Sequence, residues 1–161
     1  MNRDLKFLYK WLLANKISLN CAKTELIFFH KAGASMDKYK SLKIKMNGHK
    51  LFPSKYIKYL GMYLDSTLSG THHCNILTTK LKRANGMLSK IRHYVPSDEL
   101  RSIYHAIFSS HMFYGSQIWG HGDKGNIQKI IKLQNRAIRT INLKDQEVKL
   151  LNYMLIVKYL K

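Results

Sequence analysis

The hydrophobic pattern of the chain changes its period at about Thr71. Before that point, apolar residues at 42, 44 and 46 alternate with lysines, which is typical of a half-exposed strand. Asn47-Gly48 is a strong two-residue hairpin signal and joins this strand to residues 49–52. After Thr71, apolar residues recur every three or four positions, which indicates amphipathic helices. The chain is therefore predicted to begin with a small antiparallel sheet and to continue as a helical bundle.

Other patterns complete the first part. A helix is predicted with Asn2 or Asp4 as its cap and Asn15 as its left-handed stop. Residues 26–29 are predicted to form a short apolar strand, and residues 30–41 a loop. Residues 55–68 read as a strand, a glycine and a second short strand, so they predict another hairpin.

The second part predicts several helices. A buried seam at Leu77, Leu81, Ala84, Leu88, Ile91 and Val95 defines the first. Pro96 should end it, and Ser97 with Asp98 and Glu99 should cap the next. Residues 115–125 contain four glycines and predict a loop or kink. A third helix is expected over about 126–142, and a last one over 146–161.

These elements predict an α+β fold, with a small antiparallel sheet followed by a helical bundle. The expected domains are residues 1–70, residues 71–142, and a C-terminal helical segment over 143–161 that packs on something outside the chain.

The net charge of the chain limits the classes of partner that it is expected to bind. Lys and Arg number 28 against 9 for Asp and Glu, a net charge of +19. Such an excess favours a polyanionic partner, and nucleic acid is preferred over a merely solvated basic surface. The 2 cysteines allow no disulfide framework, and no signal peptide or bilayer-spanning run is present. We expect an intracellular protein without a membrane partner, in the nucleus or the cytoplasm.

Two rows of basic residues are candidate phosphate contacts. On the helix predicted over about 126–142, the third after Thr71, four basic side chains lie within about 80° of one another around the helix axis. They are Lys129, Lys132, Arg136 and Arg139. The first helix predicted after Thr71 carries a similar row, which consists of Lys80, Arg83 and Lys90. A solvated lysine face is the alternative, and for the third helix the pattern alone leaves the two interpretations even.

The sequence contains few of the residue patterns that catalysis or metal binding requires. No phosphate-binding glycine loop or paired-cysteine zinc pattern occurs. His72-His73-Cys74 is a poor metal site, because adjacent helical residues point about 100° apart. Among the 9 acidic residues, no Asp-Asp pair stands at a strand turn. Two-metal phosphoryl transfer needs such clustered carboxylates. We therefore expect no metal site and no autonomous nucleotidyl transferase.

Four stretches, in order, resemble the reverse transcriptases of non-LTR (LINE-type) retrotransposons. They are WLLANKISLN followed by KTE at 11–25, KYLGMYLD at 58–65, ANGMLSKIR at 84–92 and YGSQIWG at 114–120. The resemblance implies the late palm and the thumb of an RNA-directed DNA polymerase. It implies that the primer grip, which sets the primer 3′ end, is Tyr59, Leu60, Gly61 and Met62. It further implies that Lys23 approaches the incoming triphosphate and assists departure of pyrophosphate.

The resemblance also defines what is lacking. The family's catalytic carboxylates, including an aromatic-x-Asp-Asp hairpin, have no counterpart here, so we expect a C-terminal fragment of a retroelement polymerase that is inactive alone. Mg²⁺ is implied only for the intact polymerase, and no cofactor for this chain. The implied partners are a template–primer duplex and the parent polymerase's fingers and palm. The alternative is a domesticated or relic basic module that binds nucleic acid without a polymerase role.

Overall fold

A computed structural model describes residues 2–35, 39 and 42–141. The chain divides into two compact units, Met1–Leu68 and Ser69–Lys161. Each unit is described by itself. The helix predicted over 146–161, and the whole expected segment 143–161, lie outside the described residues.

The core of the first unit lies between one helix and the first of its two described hairpins. Helix α1 spans Asn2–Ala14, and strands β1 (Ile44–Met46) and β2 (His49–Leu51) pair antiparallel. Ile44, Met46 and Leu51 are buried, and the apolar side chains that pack against them include Leu5, Tyr9, Leu12, Leu19, Leu26 and Phe28. The sheet's alternation and the helix's stripe therefore meet in one small core.

The ends of α1 differ from the prediction. Asn2 lies in the helix, and its side chain serves β1: its Nδ2 donates to the Lys43 carbonyl at 3.0 Å. Its Oδ1 accepts from the Lys45 N–H at 3.1 Å. The left-handed residue after the helix is Lys16 (φ 56°) and not Asn15. Asn15 instead donates its main-chain N–H to the Trp11 carbonyl at 3.1 Å, which extends the last turn by one residue. Its side-chain Nδ2 donates to the same carbonyl at 2.8 Å.

Both predicted hairpins are confirmed. Strands β3 (Tyr56–Tyr59) and β4 (Met62–Asp65) pair antiparallel in a sheet separate from β1–β2. Asn47 and Gly48 have φ of 48° and 77°, and Leu60 and Gly61 have φ of 46° and 80°. Two consecutive positive φ angles are typical of the tight turns that match strand twist.

The strand predicted over residues 26–29 is wrong. Only a single bridge forms there, between Leu26 and Pro53. Proline has no N–H to donate, so a ladder cannot propagate through it. The segment is held instead by backbone bonds at its two ends, from Ser54 N–H to the Leu26 carbonyl and from His30 N–H to the Ser66 carbonyl.

The second unit is helical. Its described elements are α2 (Thr71–Ile91), α3 (Ser97–Tyr104), a π-helical turn (His105–Ser109), α4 (Ser110–Phe113), α5 (Ser116–Trp119) and α6 (Lys124–Ile141). The first helix of this unit ends at Ile91 and not at Pro96 as predicted, so Val95 of the predicted seam lies beyond it. The seam is confirmed over Leu77, Leu81, Ala84 and Leu88, which form the buried face of α2. They pack with Phe108, Met112, Trp119, Ile130 and Ala137. The predicted α+β class is therefore confirmed.

Three details of the helical prediction are corrected. Ser97 is the first residue of α3 and makes no side-chain cap, since Pro96 occupies the capping position. The glycine-rich stretch contains α5, because Gly115 adopts the left-handed conformation that starts it (φ 64°). Helix α6 begins at Lys124, and the Asp123 carboxylate caps it by accepting from the Asn126 N–H at 3.1 Å.

Candidate nucleic-acid interface

The four candidate primer-grip residues at the β3–β4 turn differ in how exposed they are. Tyr59 and Leu60 are 61% and 73% exposed, whereas Met62 is 7% exposed and packs inward. Tyr59 pairs with Met62 across the hairpin, so Leu60 and Gly61 alone form the tip. The turn therefore presents an apolar side chain and a glycine backbone, which lets another molecule approach the main chain closely.

The four basic residues of α6, here called the α6 row, all lie exposed. The buried side chains of the same helix, among them Ile130, Gln134 and Ala137, lie on another face. Lys129 Nζ donates to Asn126 Oδ1 at 3.2 Å, and Arg139 Nε donates to the Asn135 carbonyl at 3.2 Å. Among the described residues, no carboxylate lies within ion-pairing distance of the row, whereas Arg101 pairs with Asp98 at 3.7 Å. The row is thus a concentration of positive charge that no carboxylate of the described residues compensates.

The second row, on α2, is exposed as well. Lys80, Arg83 and Lys90 are all exposed, and Met87 between them is 49% exposed. The buried seam of α2 lies on a different face, so these side chains project away from the core.

Two polar contacts tie α2 to α6 and set how both rows are held. Asn126 Nδ2 donates to Thr71 Oγ1 at 3.3 Å, near the start of both helices. Farther along, Asn85 Nδ2 donates to the Leu133 carbonyl at 2.9 Å. The helices therefore run in the same direction along their contact, and each row is carried on a rigid packed element.

Lys23 lies at the end of a 3₁₀ turn, Cys21–Lys23. The Asn20 side chain caps this turn by accepting from the Lys23 N–H at 3.1 Å. The Lys23 side chain is exposed. Its backbone is therefore fixed while its ammonium group can reach outward.

The stretch from Tyr114 to Gly120 has a structural role. Trp119 is 6% exposed, and its indole N–H donates to the Tyr114 carbonyl at 3.0 Å. The ring lies 6.4 Å from that of His73, which is 8% exposed. Burial, followed by the nearby charges of Lys80 and His72, lowers the pKa of His73. Through Trp119, this stretch therefore packs α5 against the start of α2.

The side chains that could bind a metal ion do not form a cluster in the described part of the chain. No three His, Cys, Asp or Glu side chains there are grouped so that they could hold an ion. Asp65 Oδ1 accepts from the backbone and hydroxyl of Thr67. Asp123 caps α6, so both carboxylates have local structural partners. Across the same residues, no helix is both long and apolar enough to cross a lipid bilayer.

One charged surface was not predicted. Lys45 and Lys50 are direct cross-strand partners in the β1–β2 hairpin, and Phe52 beside them is 68% exposed. The signal was available in the sequence, because the two-residue Asn47-Gly48 loop determines which residues face each other.

Comparison with known proteins shows which proteins the amino-acid sequence is similar to. The chain is 26% identical, over 83% of its length, to the RNA-directed DNA polymerase from mobile element jockey of Drosophila funebris. It is 32% identical, over 61% of its length, to the probable RNA-directed DNA polymerase from transposon BS of Drosophila melanogaster. It is 33% identical, over 52%, to that from the same organism's transposon X-element. The chain is thus similar in sequence to the polymerases of non-LTR retrotransposons.

The resemblance stated from four motifs is thereby confirmed. As a retrotransposon polymerase relative, the chain places them on separate elements: the second spans β3 and β4, the third lies at the end of α2, and the fourth contains α5. The chain spans only 10% to 14% of the length of the relatives it matches. No family model matches it, and no solved structure matches it significantly.

Proposed function

We propose that this chain supplies the primer-gripping hairpin and the thumb of a non-LTR retrotransposon RNA-directed DNA polymerase, and that it holds the template–primer duplex. The observation that carries the proposal is the α6 row: four exposed cations on one helical face with no carboxylate near them among the described residues. Its relatives are named as RNA-directed DNA polymerases, which act on a nucleic-acid template.

The dimensions of the α6 row fit a nucleic-acid backbone. Arg139 lies ten positions after Lys129, so the row is about 15 Å long at 1.5 Å per residue. Neighbouring cations stand about 5 Å apart along the helix axis. Phosphates follow one another by about 3.4 Å per strand along a duplex axis, so the row can meet several of them. Each contact formed releases condensed counterions, which makes binding depend steeply on salt.

The proposal assigns three further roles. The α2 row contacts the same class of backbone from its own helix, and the exposed β3–β4 tip sets the primer end. Tyr59 offers an exposed ring that can pack on a base or sugar, and Gly61 allows close backbone approach. In the intact polymerase, Lys23 would offset charge on the departing pyrophosphate.

The test replaces Lys129, Lys132, Arg136 and Arg139 with Gln and measures affinity for an RNA–DNA duplex from 50 to 200 mM salt. The slope of log affinity against log salt should fall by about 3 to 4, since each phosphate contact contributes about 0.9. The matched control replaces Lys82, Arg92, Arg101 and Lys124, which removes four charges from the same unit and should change the slope far less. Equal slopes for the two variants would remove the α6 row from the interface.

We also propose that the 161 residues do not extend a primer alone. The support is the distribution of the described carboxylates, which form no cluster able to hold two Mg²⁺ ions. Primer extension with Mg²⁺ by the purified chain tests this, and measurable extension would overturn it. Duplex binding without extension would agree with both parts of the proposal.

A further inference from the structure

The outer face of the β1–β2 hairpin carries an unusual arrangement of charge. Ile44, Met46 and Leu51 point into the core, so Lys45 and Lys50 point out of the opposite face. The register makes these two lysines direct cross-strand partners. Like charges placed opposite each other destabilise a sheet, and residues 42–52 contain no acidic residue to offset them.

Two more residues extend this face, which is here called the hairpin patch and consists of Lys43, Lys45, Lys50 and Phe52. Phe52 follows β2 on the same side as Lys50, and Lys50 Nζ lies 4.9 Å from the centre of its ring. Lys43 precedes β1, and its carbonyl is held by Asn2. All four side chains are exposed. The hairpin patch thus combines three ammonium groups with one exposed aromatic ring, over which the Lys50 ammonium group lies.

We propose that the hairpin patch binds single-stranded nucleic acid, with the lysines on successive phosphates and Phe52 stacked on an unpaired base. Basic side chains beside an exposed ring are the combination by which proteins hold single strands. The phosphates would compensate the Lys45–Lys50 repulsion, which no acidic residue within 42–52 offsets. The proposal rests on the proposed function for its class of partner, but it concerns a different unit and a different form of nucleic acid.

The chemistry favours a single strand over two other polyanions. A base inside a duplex has its faces covered by neighbours, so Phe52 could not stack on it. An anionic membrane surface would attract the lysines, but stable insertion takes a larger apolar face than one phenylalanine.

The first test compares two double variants, Lys45→Gln with Lys50→Gln, and Lys6→Gln with Lys10→Gln. Both remove two exposed charges from the first unit, the second pair from α1. Fluorescence anisotropy with a labelled oligothymidylate should show the hairpin variant weaker by about fivefold to tenfold. Its salt slope should fall by about 1.4, since each contact to a single strand contributes about 0.7. Equal effects of the two pairs would overturn the proposal.

The second test uses Phe52→Leu, which keeps an apolar side chain but removes the ring. Affinity for oligothymidylate should fall by about fivefold or more, as expected for one lost base–aromatic stack. Affinity for a duplex of equal length should stay unchanged. Equal loss for both nucleic acids, or tighter binding to phosphatidylserine vesicles than to oligothymidylate, would overturn the proposal.

The two proposals can fail separately. Loss of salt dependence in the α6 variant with no effect of the hairpin variants would retain the thumb and reject the hairpin patch. The converse result would retain the patch and reject the thumb.

Discussion

The side-chain N–H of Asn85 donates to the main-chain carbonyl of Leu133, 2.9 Å away, and so ties the long helix α2 to α6. Asn85 is only 3% exposed, and its Oδ1 has no hydrogen-bond partner among the described residues. The contact joins the two helices that carry the basic rows, so a polar group inside the core affects how the rows are held.

Replacing Asn85 tests this contact. Asn85→Ala should lower the free energy of unfolding by about 1–3 kcal/mol, through the lost hydrogen bond and the space left behind. Asn85→Asp should cost more, because it places a carboxylate against the Leu133 carbonyl in a buried site. Asn75→Ala, exposed on the same helix, should stay within about 0.5 kcal/mol. Urea denaturation measures all three, and equal effects at residues 85 and 75 would contradict the assignment.

Gly122 marks a close approach of backbone to backbone. A Cβ at this position would lie 2.5 Å from the Ser69 carbonyl oxygen and 3.0 Å from that of Trp119. Gly122→Ala should therefore destabilise the second unit by about 1–3 kcal/mol, as overpacking does. Gly86→Ala is the control, since its Cβ would meet nothing within 4 Å and helix propensity favours it by about 0.5–1 kcal/mol. Changes of the same sign in denaturant midpoint would disprove this account.

Stability should depend on pH through His73. Burial beside Trp119 lowers the pKa of His73, so the folded chain binds a proton at this ring less readily than the unfolded chain, in which the pKa is near its ordinary value of 6.5. The unfolded state then binds more protons as pH falls, and stability drops below about pH 6.5. Urea midpoints at pH 7.5 and 5.5 measure the drop. His73→Gln should show a smaller drop, and an unchanged one would refute the role of His73.

Leu60 occupies a backbone conformation that leucine rarely adopts, with φ of 46° at the first position of the β3–β4 turn. Leu60→Asn repeats the Asn-Gly pair of the other hairpin and should stabilise β3–β4 by about 1 kcal/mol. Amide hydrogen exchange of Tyr59 and Met62 should slow accordingly. Asn47→Gly, at the matching position of β1–β2, should have little effect. Faster exchange in the Leu60 variant would show that its side chain supports the hairpin.

Binding to a primer–template should change in the opposite direction at Leu60. Its side chain is the most exposed part of the proposed grip, so Leu60→Asn should weaken primer binding while it stabilises the turn. Gain of stability without loss of affinity would place the grip on the glycine backbone alone.

Local patterns were sufficient for most elements. Asn47-Gly48 predicted its hairpin, and the Leu77 to Leu88 seam predicted the buried face of α2. The exposed basic faces of α2 and α6 follow from the same helical period. These features depend on residues within a few positions of one another, where propensity and turn chemistry act.

Long-range contacts decided the remainder. The apolar run at 26–29 forms no ladder of strand hydrogen bonds because its neighbour in space is Pro53. The residues of the run do not reveal which segment it will meet. Trp119 is a core residue, and Gly122 is required by the Ser69 carbonyl, 53 positions away along the chain. The π-helical turn at His105–Ser109 is likewise absent from the periodicity.

For this chain, then, the sequence by itself determined the class of fold, the family resemblance and the rows of positive charge. It did so because helical and hairpin periods, and charge, are properties of neighbouring residues. Tertiary structure alone decided that Trp119 is buried, that Asn85 reaches Leu133, and that Met62 turns inward while Leu60 points out. Those outcomes depend on packing between segments far apart in the chain, which no local pattern specifies.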